Sequence, residues 1–353
     1  MASRLLSGMQ LDAPLFHVLH ARGVLTAKDV LCKPELELME LLDLPLSLIR
    51  EAIAQISLFT CPPYRSALTV MEERESELGF GHLRTHLQDI DSALLGGIPF
   101  GALTEVVGPA GFGKTQLCLM LCVITALPKE HDGLDGNVIY FDTERKFHSG
   151  RMAEMAVSRF PHFFTDGDNL KKLATSVLVY HPHSLDEFVN SLQGVEEVII
   201  ENKVKMLIVD SIAALMPSEN AQEDLSRKQN VLGHQAGTLK YLAEAFRIPI
   251  VVTNQVRMTS NQRSLEDPEL QLTAALGTSW AHSVNIRLIL ESLSGQRFIK
   301  VAKSPMSAIT LHPYKVTSMG LELIGGEDYG QGGDVMRIRF DDLDANEDED
   351  MEV

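Results

Sequence analysis

A chain of 353 residues and 39.0 kDa is longer than one small module needs and suits one large α/β domain with a small domain added. With 45% hydrophobic and 22% charged residues it is neither a wholly disordered chain nor a disulfide-rich miniature. The formal charge of −17 excludes a broad cationic face, and the last thirteen residues, DDLDANEDEDMEV, hold eight acids and no base, which leaves −9 on the rest. Any DNA contact must therefore be local, and the tail reads as a solvated end.

The longest apolar stretches, such as Leu117 to Leu127, fall short of the roughly 18 to 20 residues of a membrane span, so no membrane association is expected. The first sixteen residues, MASRLLSGMQLDAPLF, lack a basic stretch followed by a continuous apolar core and a cleavage site, so a secretory signal is not expected either. Cys32, Cys61, Cys118 and Cys122 form no CxxC and have no His pair at zinc spacing. Reduced thiols inside the cell and no structural metal follow.

Residues 1–60 read as a small helical domain. LFHVLHARG ends at Gly23, a fitting left-handed cap; Thr26 and Asp29 form a capping box; Pro45 opens a helix with Leu48, Ile49, Ala52, Ile53 and Ile56 on one face. Residues 61–80 carry prolines and a charge run without sustained period and are expected to be a linker. A core over 81–340 and an acidic tail over 341–353 complete the division.

Within the core, apolar runs alternate with helical patterns: LTEVV (103–107), VIYFD (138–142), VLVYH (177–181), KMLIVD (205–210) and PIVVTNQ (249–255). Continuous apolar runs separated by helices predict a mostly parallel sheet covered on both faces. Ser184 and Glu187 predict a capping box for one helix over SLDEFVNSLQGVEEVIIEN, and Leu232, Ala236, Leu239, Leu242 and Phe246 mark an amphipathic helix. NIRLILE and QRFIKVAK, flanking SLSG, predict an antiparallel hairpin extending the sheet. Cys118 and Cys122, four apart on a helix, read as buried small hydrophobes, and Trp280 reads as buried between sheet and hairpin.

The chemistry concentrates in GPAGFGKT: Gly108, Pro109, Ala110, Gly111, Phe112, Gly113, Lys114 and Thr115, lying between the LTEVV strand and the helix KTQLCLMLCVITAL. This is the pattern GxxxxGK[ST] in its required strand–helix context. Glycines let backbone amides turn inward around phosphate oxygens, and the helix that follows aims its positive end at them. Lys114 is expected on the β- and γ-phosphates and Thr115 on Mg²⁺. Asp210 leaves an apolar strand at the sheet's carboxyl edge, where open α/β folds bind ligands, and is expected to hold the Mg²⁺ shell. Glu144, ending VIYFDTE, could orient an attacking water, and Gln255, ending PIVVTNQ, could sense the γ-phosphate.

GPAGFGKT, YFDTE, LIVDS, VVTNQV and LGTSWAHSVNIRLIL occur in an order and spacing that resemble the RecA-type recombinases, specifically their eukaryotic and archaeal branch, over about residues 80–325. AKSP (302–305), FPHFF (160–164) and GLDG (133–136) are most similar to the B-type paralogue subfamily of DNA-repair proteins. The resemblance implies a P-loop RecA-like ATPase core with a helical N-terminal domain, ATP and Mg²⁺ as ligands, slow hydrolysis, and work in homologous recombination in the nucleus. It implies as partners other recombinase paralogues, the C-type paralogue as direct neighbour, the main recombinase filament, and single-stranded or branched DNA. It makes Glu144 the catalytic glutamate, Gln255 the γ-phosphate switch, Arg151 an adenine-side contact, and Gln116, next to Thr115, a further cofactor-binding residue.

The chain departs from the strand-exchange pattern as well. IAALMPSENAQEDLSRKQ, at the first DNA-facing loop, offers Arg227 and Lys228 but no arginine and aromatic pair. The second loop, Val256 to about Ala275, sets Arg257 and Arg263 against Glu266, Asp267 and Glu269. SALTV lacks the Phe-x-x-Ala hook that chains recombinase subunits together. Independent strand exchange and self-filament formation are therefore not expected. Two other readings stand beside the ATP-driven mediator: a scaffold stabilised by bound ATP, and a small-molecule kinase, for which no acceptor lid is visible after Asp210.

Overall fold

The structure, a computed structural model, describes residues 5–9, 11–61, 66–69, 81–215, 222–259, 271–274 and 277–325, with the backbone alone over 222–230, 256–259, 271–274 and 277–279. The chain divides into two compact units, Met1–Gly79 and Phe80–Val353. The acidic tail and most of the linker sequence lie outside the described residues.

In the first unit, α1 (Ala13–Ala21), α2 (Ala27–Leu31), α3 (Glu35–Leu42) and α4 (Leu46–Thr60) enclose a core that includes Leu19, Val30, Leu38, Ile49 and Ile56. Gly23 adopts φ +73°, which lets Val24 N–H reach the Leu19 carbonyl and Gly23 N–H the His20 carbonyl, a Schellman stop for α1. The capping box of Thr26 and Asp29 closes in both directions. On α4, Ile49, Ala52 and Ile56 are buried and Ile53 packs against them, but Leu48 is 44% exposed. Leu48 sits at the margin of the 49/52/53/56 stripe, so its predicted burial is not found.

The second unit opens with β1 (His82–Leu83) and β2 (Ile98–Pro99), an antiparallel pair on either side of α5 (Gln88–Ala93). Gly97 enters β2 at φ +118°, and a Cβ there would lie 2.1 Å from the Leu83 carbonyl oxygen. Gly97→Ala combines a disfavoured φ with a backbone clash and should cost at least about 2 kcal/mol. A denaturation midpoint equal to wild type would contradict this.

The predicted strands appear as β3 (Leu103–Gly108), β4 (Asn137–Asp142), β5 (Val177–Tyr180), β6 (Val204–Asp210) and β7 (Ile250–Thr259). Helices connect them: α6 (Lys114–Ala126), α7 (Ser149–Arg159), α8 (Pro161–Phe164), α9 (Gly167–Ser176), α10 (Leu185–Gln193), α11 (Val195–Glu201) and α12 (Gln222–Phe246). After β8 (Gln271–Ala274) and α13 (Gly277–Ser283) come β9 (Ile286–Leu293), β10 (Gln296–Lys303), β11 (Thr310–Thr317) and β12 (Gly320–Leu323). The sheet order is β12-β11-β10-β9-β3-β7-β6-β4-β5, with β8 on β7. Pairing is parallel from β9 through β5 and antiparallel from β9 to β12. The mostly parallel, helix-covered sheet expected from the sequence is present.

Strand alternation splits the core. Val106, Val138, Tyr140, Met206, Ile208 and Val251 face α6 to α9; Ile139, Phe141, Leu207, Val209, Ile250 and Val252 face α10 to α13. α6 is apolar on all sides and buried from Leu117 to Thr125, with both of its cysteines at 0% exposure. Burial raises the pKa of the Cys118 and Cys122 thiols, which keeps them protonated packing groups.

The helix predicted over 184–202 is two helices broken at Gly194. Ser184 Oγ accepts the Glu187 amide at 3.2 Å, but the Glu187 carboxylate returns to the His183 amide at 2.8 Å, one residue before the expected partner. The hairpin turn is only Ser294–Gly295, at φ +50° and +82°, because Leu293 still pairs with Gln296.

A charged cluster crosses the second face. Glu105, at 0% exposure in β3, accepts from Asn254 Nδ2 (2.7 Å) and Trp280 Nε1 (2.8 Å) at Oε1, and from Arg287 Nε (2.6 Å) at Oε2. Trp280 is buried as expected, with its indole N–H on a carboxylate.

Candidate functional site

Parallel register assembles the site. It sets Gly108 opposite Gln255 and Asp142 opposite Asp210, so the phosphate-loop motif and every predicted strand-end residue share the sheet's carboxyl edge. Gly108 itself must be small: a Cβ there would lie 2.7 Å from the Leu290 carbonyl oxygen on β9. Gly111 and Gly113 take positive φ, which bends Pro109–Gly113 back over the start of α6. Ala110 and Gly111 are exposed, and among the described residues no carbonyl or side chain accepts from the amides of residues 110–115. Tyr314 Oη donates to the Phe112 carbonyl at 2.6 Å, and the Arg297 guanidinium lies 5.4 Å over the Phe112 ring, so the outer arm of the loop is pinned from β10 and β11.

Lys114 Nζ donates to the carbonyls of Gly108 (2.6 Å) and Pro109 (3.0 Å). Burial lowers its pKa, against an opposing pull from the Asp210 and Glu144 carboxylates. A partly desolvated cation held by carbonyls, beside amides free of internal partners at a helix N-terminus, is a donor set suited to an anion such as a triphosphate. Thr115 Oγ1 donates to Asp210 Oδ2 at 2.7 Å. Tyr140 Oη donates to the same oxygen at 2.8 Å, and Thr253 Oγ1 donates to Asp210 Oδ1. A hydroxyl and a buried carboxylate side by side are the hard oxygen donors that Mg²⁺ takes, so the residues fit that ion.

Glu144 Oε1 accepts from Ser211 Oγ (2.6 Å) and Gln255 Nε2 (2.9 Å), while Oε2 pairs with Lys146. Burial alone would raise the Glu144 pKa; the hydrogen bonds from Lys146, Ser211 and Gln255 outweigh it and hold the pKa below the ordinary value. Glu144 is therefore a carboxylate at neutral pH. Its loop is folded by Asp142, whose two oxygens accept the amides of Lys146 and Phe147, both at 2.9 Å. Thr143 ties that loop to the end of β6: its Oγ1 donates to the Ser211 carbonyl (2.7 Å) and accepts the Ser211 amide (2.9 Å).

Arg151, near the start of α7, donates from Nε to Gln116 Oε1 at 2.8 Å and from its terminal nitrogens to the Thr317 and Ser318 carbonyls. Gln116 and Arg151 thus meet beside the β11–β12 turn, next to the phosphate loop. The predicted DNA-facing cations Arg227, Lys228, Arg257 and Arg263 lie outside the described side chains.

Sequence reasoning overlooked Tyr140, Thr253, Ser211, Asp142 and Thr143. The signal was present in part: a phenol inside VIYFD and a hydroxyl inside IVVTNQ interrupt runs that are otherwise apolar, and a buried strand keeps such groups only when they are bonded.

A glycine-rich loop between strand and helix, a carboxylate at the tip of the second strand away, and a mostly parallel sheet are the arrangement of a RecA-like domain. The Rad51 family model matches residues 80–323, and a model described as an XRCC3/RpoA-like helix-hairpin-helix domain matches residues 6–60. The chain is 44% identical to DNA repair protein RAD51 homolog 2 of Arabidopsis thaliana, with 96% of each chain covered. It is 36% identical to the protein of that name in Homo sapiens (92% of this chain, 90% of the other), and 30% identical to RAD51 homolog 3 of Cricetulus griseus (71% of each). The chain belongs to the Rad51 family.

Proposed function

We propose that this chain binds ATP with Mg²⁺ and hydrolyses it as one subunit of a recombinase-paralogue complex that assists homologous recombination and double-strand break repair. The observation that carries the reading is the convergence, at one sheet edge, of Lys114, the Thr115–Asp210 pair and the Glu144–Gln255 pair.

The amides of Gly108–Thr115 and the N-terminus of α6 cradle the phosphates, and Lys114 exchanges its two carbonyls for phosphate oxygens. Thr115 and Asp210 would hold Mg²⁺, which when bound would offset the charge of the triphosphate. Glu144, ionised and 18% exposed, orients a water and takes its proton. Gln255 reads the γ-phosphate: leaving Glu144 for a phosphate oxygen would free the carboxylate and pull on β7, which runs on toward the second DNA-facing segment. Gln116 and Arg151 form the adenine side. The relatives named as RAD51 homologues and DNA repair proteins support work in DNA repair; nuclear action on single-stranded or branched DNA, promotion of recombinase filament assembly and a C-type paralogue as neighbour are part of the same proposal. The division into a helical domain (1–60), linker (61–80), ATPase core (81–340) and acidic tail (341–353) belongs to the same proposal.

One observation favours a second reading, the ATP-stabilised scaffold. Glu144 is engaged by three side chains, which suits a site that holds nucleotide and turns it over slowly. Bound ligand alone stabilises a fold by about 2.7 kcal/mol at a hundredfold excess over Kd. Glu144→Gln separates the two. Nucleotide affinity should stay within about threefold of wild type while hydrolysis falls at least about a hundredfold, the scale expected for loss of a positioned base. Loss of repair function in cells then supports turnover, and full repair supports the scaffold. Undiminished hydrolysis in the variant would remove Glu144 from the mechanism.

A further inference from the structure

Asp210 is the acid of the site that hydroxyls alone hold. It is 3% exposed, and three hydroxyls point at it: Thr115 and Tyr140 on Oδ2, Thr253 on Oδ1. A carboxylate offers about four lone-pair directions, so about one is left, on Oδ1.

The three donors differ in origin. Thr115 belongs to the phosphate loop, whereas Tyr140 and Thr253 come from β4 and β7, the strands flanking β6 on either side. Both are at 0% exposure, and the Tyr140 ring is braced edge-on against Phe147 at 5.0 Å between centroids. Two rigid strands thus clamp the carboxylate, while the third donor can respond to a nucleotide. Buried polar groups on fully covered strands are costly without a purpose-built partner. The partner here is the carboxylate proposed to face the metal. With three directions filled, Asp210 has little left for direct bidentate chelation, which suits a small cation that keeps most of its waters.

We infer that Tyr140 and Thr253 are positioning residues for the divalent cation: they hold the Asp210 carboxylate in one orientation and so set how tightly the nucleotide site takes Mg²⁺. This rests on the ATP reading above. Neither residue touches substrate in the inference; both act through Asp210, as the outer partners of metal ligands do elsewhere.

The test is binding of a fluorescent ATP analogue to the full chain, first with EDTA and then across a range of free Mg²⁺. The wild type should bind with a saturable Mg²⁺ dependence. If it binds no nucleotide at any Mg²⁺ concentration, the ATP reading fails and this inference falls with it. If it binds equally with and without Mg²⁺, the inference alone is overturned. Tyr140→Phe keeps the ring and removes the hydroxyl. It should raise the Mg²⁺ concentration for half-maximal binding roughly tenfold, with binding in EDTA and thermal stability near wild type. Thr253→Val should move the half-point in the same direction, and it carries the test alone should Tyr140→Phe not fold. An unchanged half-point, or an equal loss of binding with and without Mg²⁺, would overturn the inference.

Discussion

Lys114→Ala should weaken ATP binding at least about thirtyfold, because truncating one side of a desolvated charge pair costs about 2–5 kcal/mol. The expectation follows from where the ammonium sits. It is bonded to the Gly108 and Pro109 carbonyls, depressed in pKa by burial, and adjacent to amides that find no internal acceptor among the described residues. The lysine contributes little to the fold beyond two bonds to its own loop, so the variant should melt near wild type. Equilibrium titration with a fluorescent ATP analogue reads the loss, and affinity within threefold of wild type would contradict the assigned role. Lys114→Arg should recover little: a planar guanidinium cannot replace a compact ammonium inside a tight loop.

Glu105→Ala should be the most destabilising single change, at about 3–5 kcal/mol, the cost of leaving a buried charge without its counter-ion. Glu105 gathers Asn254, Trp280 and Arg287 onto one carboxylate in the interior, with the Glu105 and Arg287 side chains at 0% and 4% exposure. Its removal strips the acceptor from three donors at once and loosens β3 just before the phosphate loop and β7 just before Gln255. For a domain of this size the melting temperature should fall by roughly 10 °C. Trp280 is the single tryptophan of the chain, so its emission reports the same event from inside the cluster. Replacing both charges with apolar residues of similar volume, Glu105→Leu with Arg287→Met, should recover only the share of the loss due to the unpaired arginine, because Asn254 and Trp280 still lose their acceptor. A melting temperature for Glu105→Ala within about 2 °C of wild type, which corresponds to under about 1 kcal/mol, would contradict the account.

The GPAGFGKT loop was legible in the sequence because its pattern is local: eight consecutive residues, a strand before and a helix after. The strands were legible for a related reason, since a parallel sheet covered on both faces writes itself as continuous apolar runs. What escaped were the buried polar partners set by register between distant segments. Glu105 meets partners 149, 175 and 182 residues away, and Tyr140 reaches Asp210 across 70 residues. A glutamate inside LTEVV and a tyrosine inside VIYFD announce that something buried must answer them, but the sequence does not say what. Local errors had local causes. Gly194 splits a helix whose apolar pattern runs straight through it, and Leu48 lies one step off a stripe it was counted into.

The most direct test of the central claim is a crystal structure of the full chain with Mg²⁺ and a non-hydrolysable ATP analogue. The triphosphate should be wrapped by the amides of Gly108–Thr115, with Lys114 turned from its two carbonyls onto phosphate oxygens and the metal beside Thr115 and Asp210. An analogue bound elsewhere, or bound with Lys114 still on the Gly108 and Pro109 carbonyls and no metal near Thr115, would contradict it.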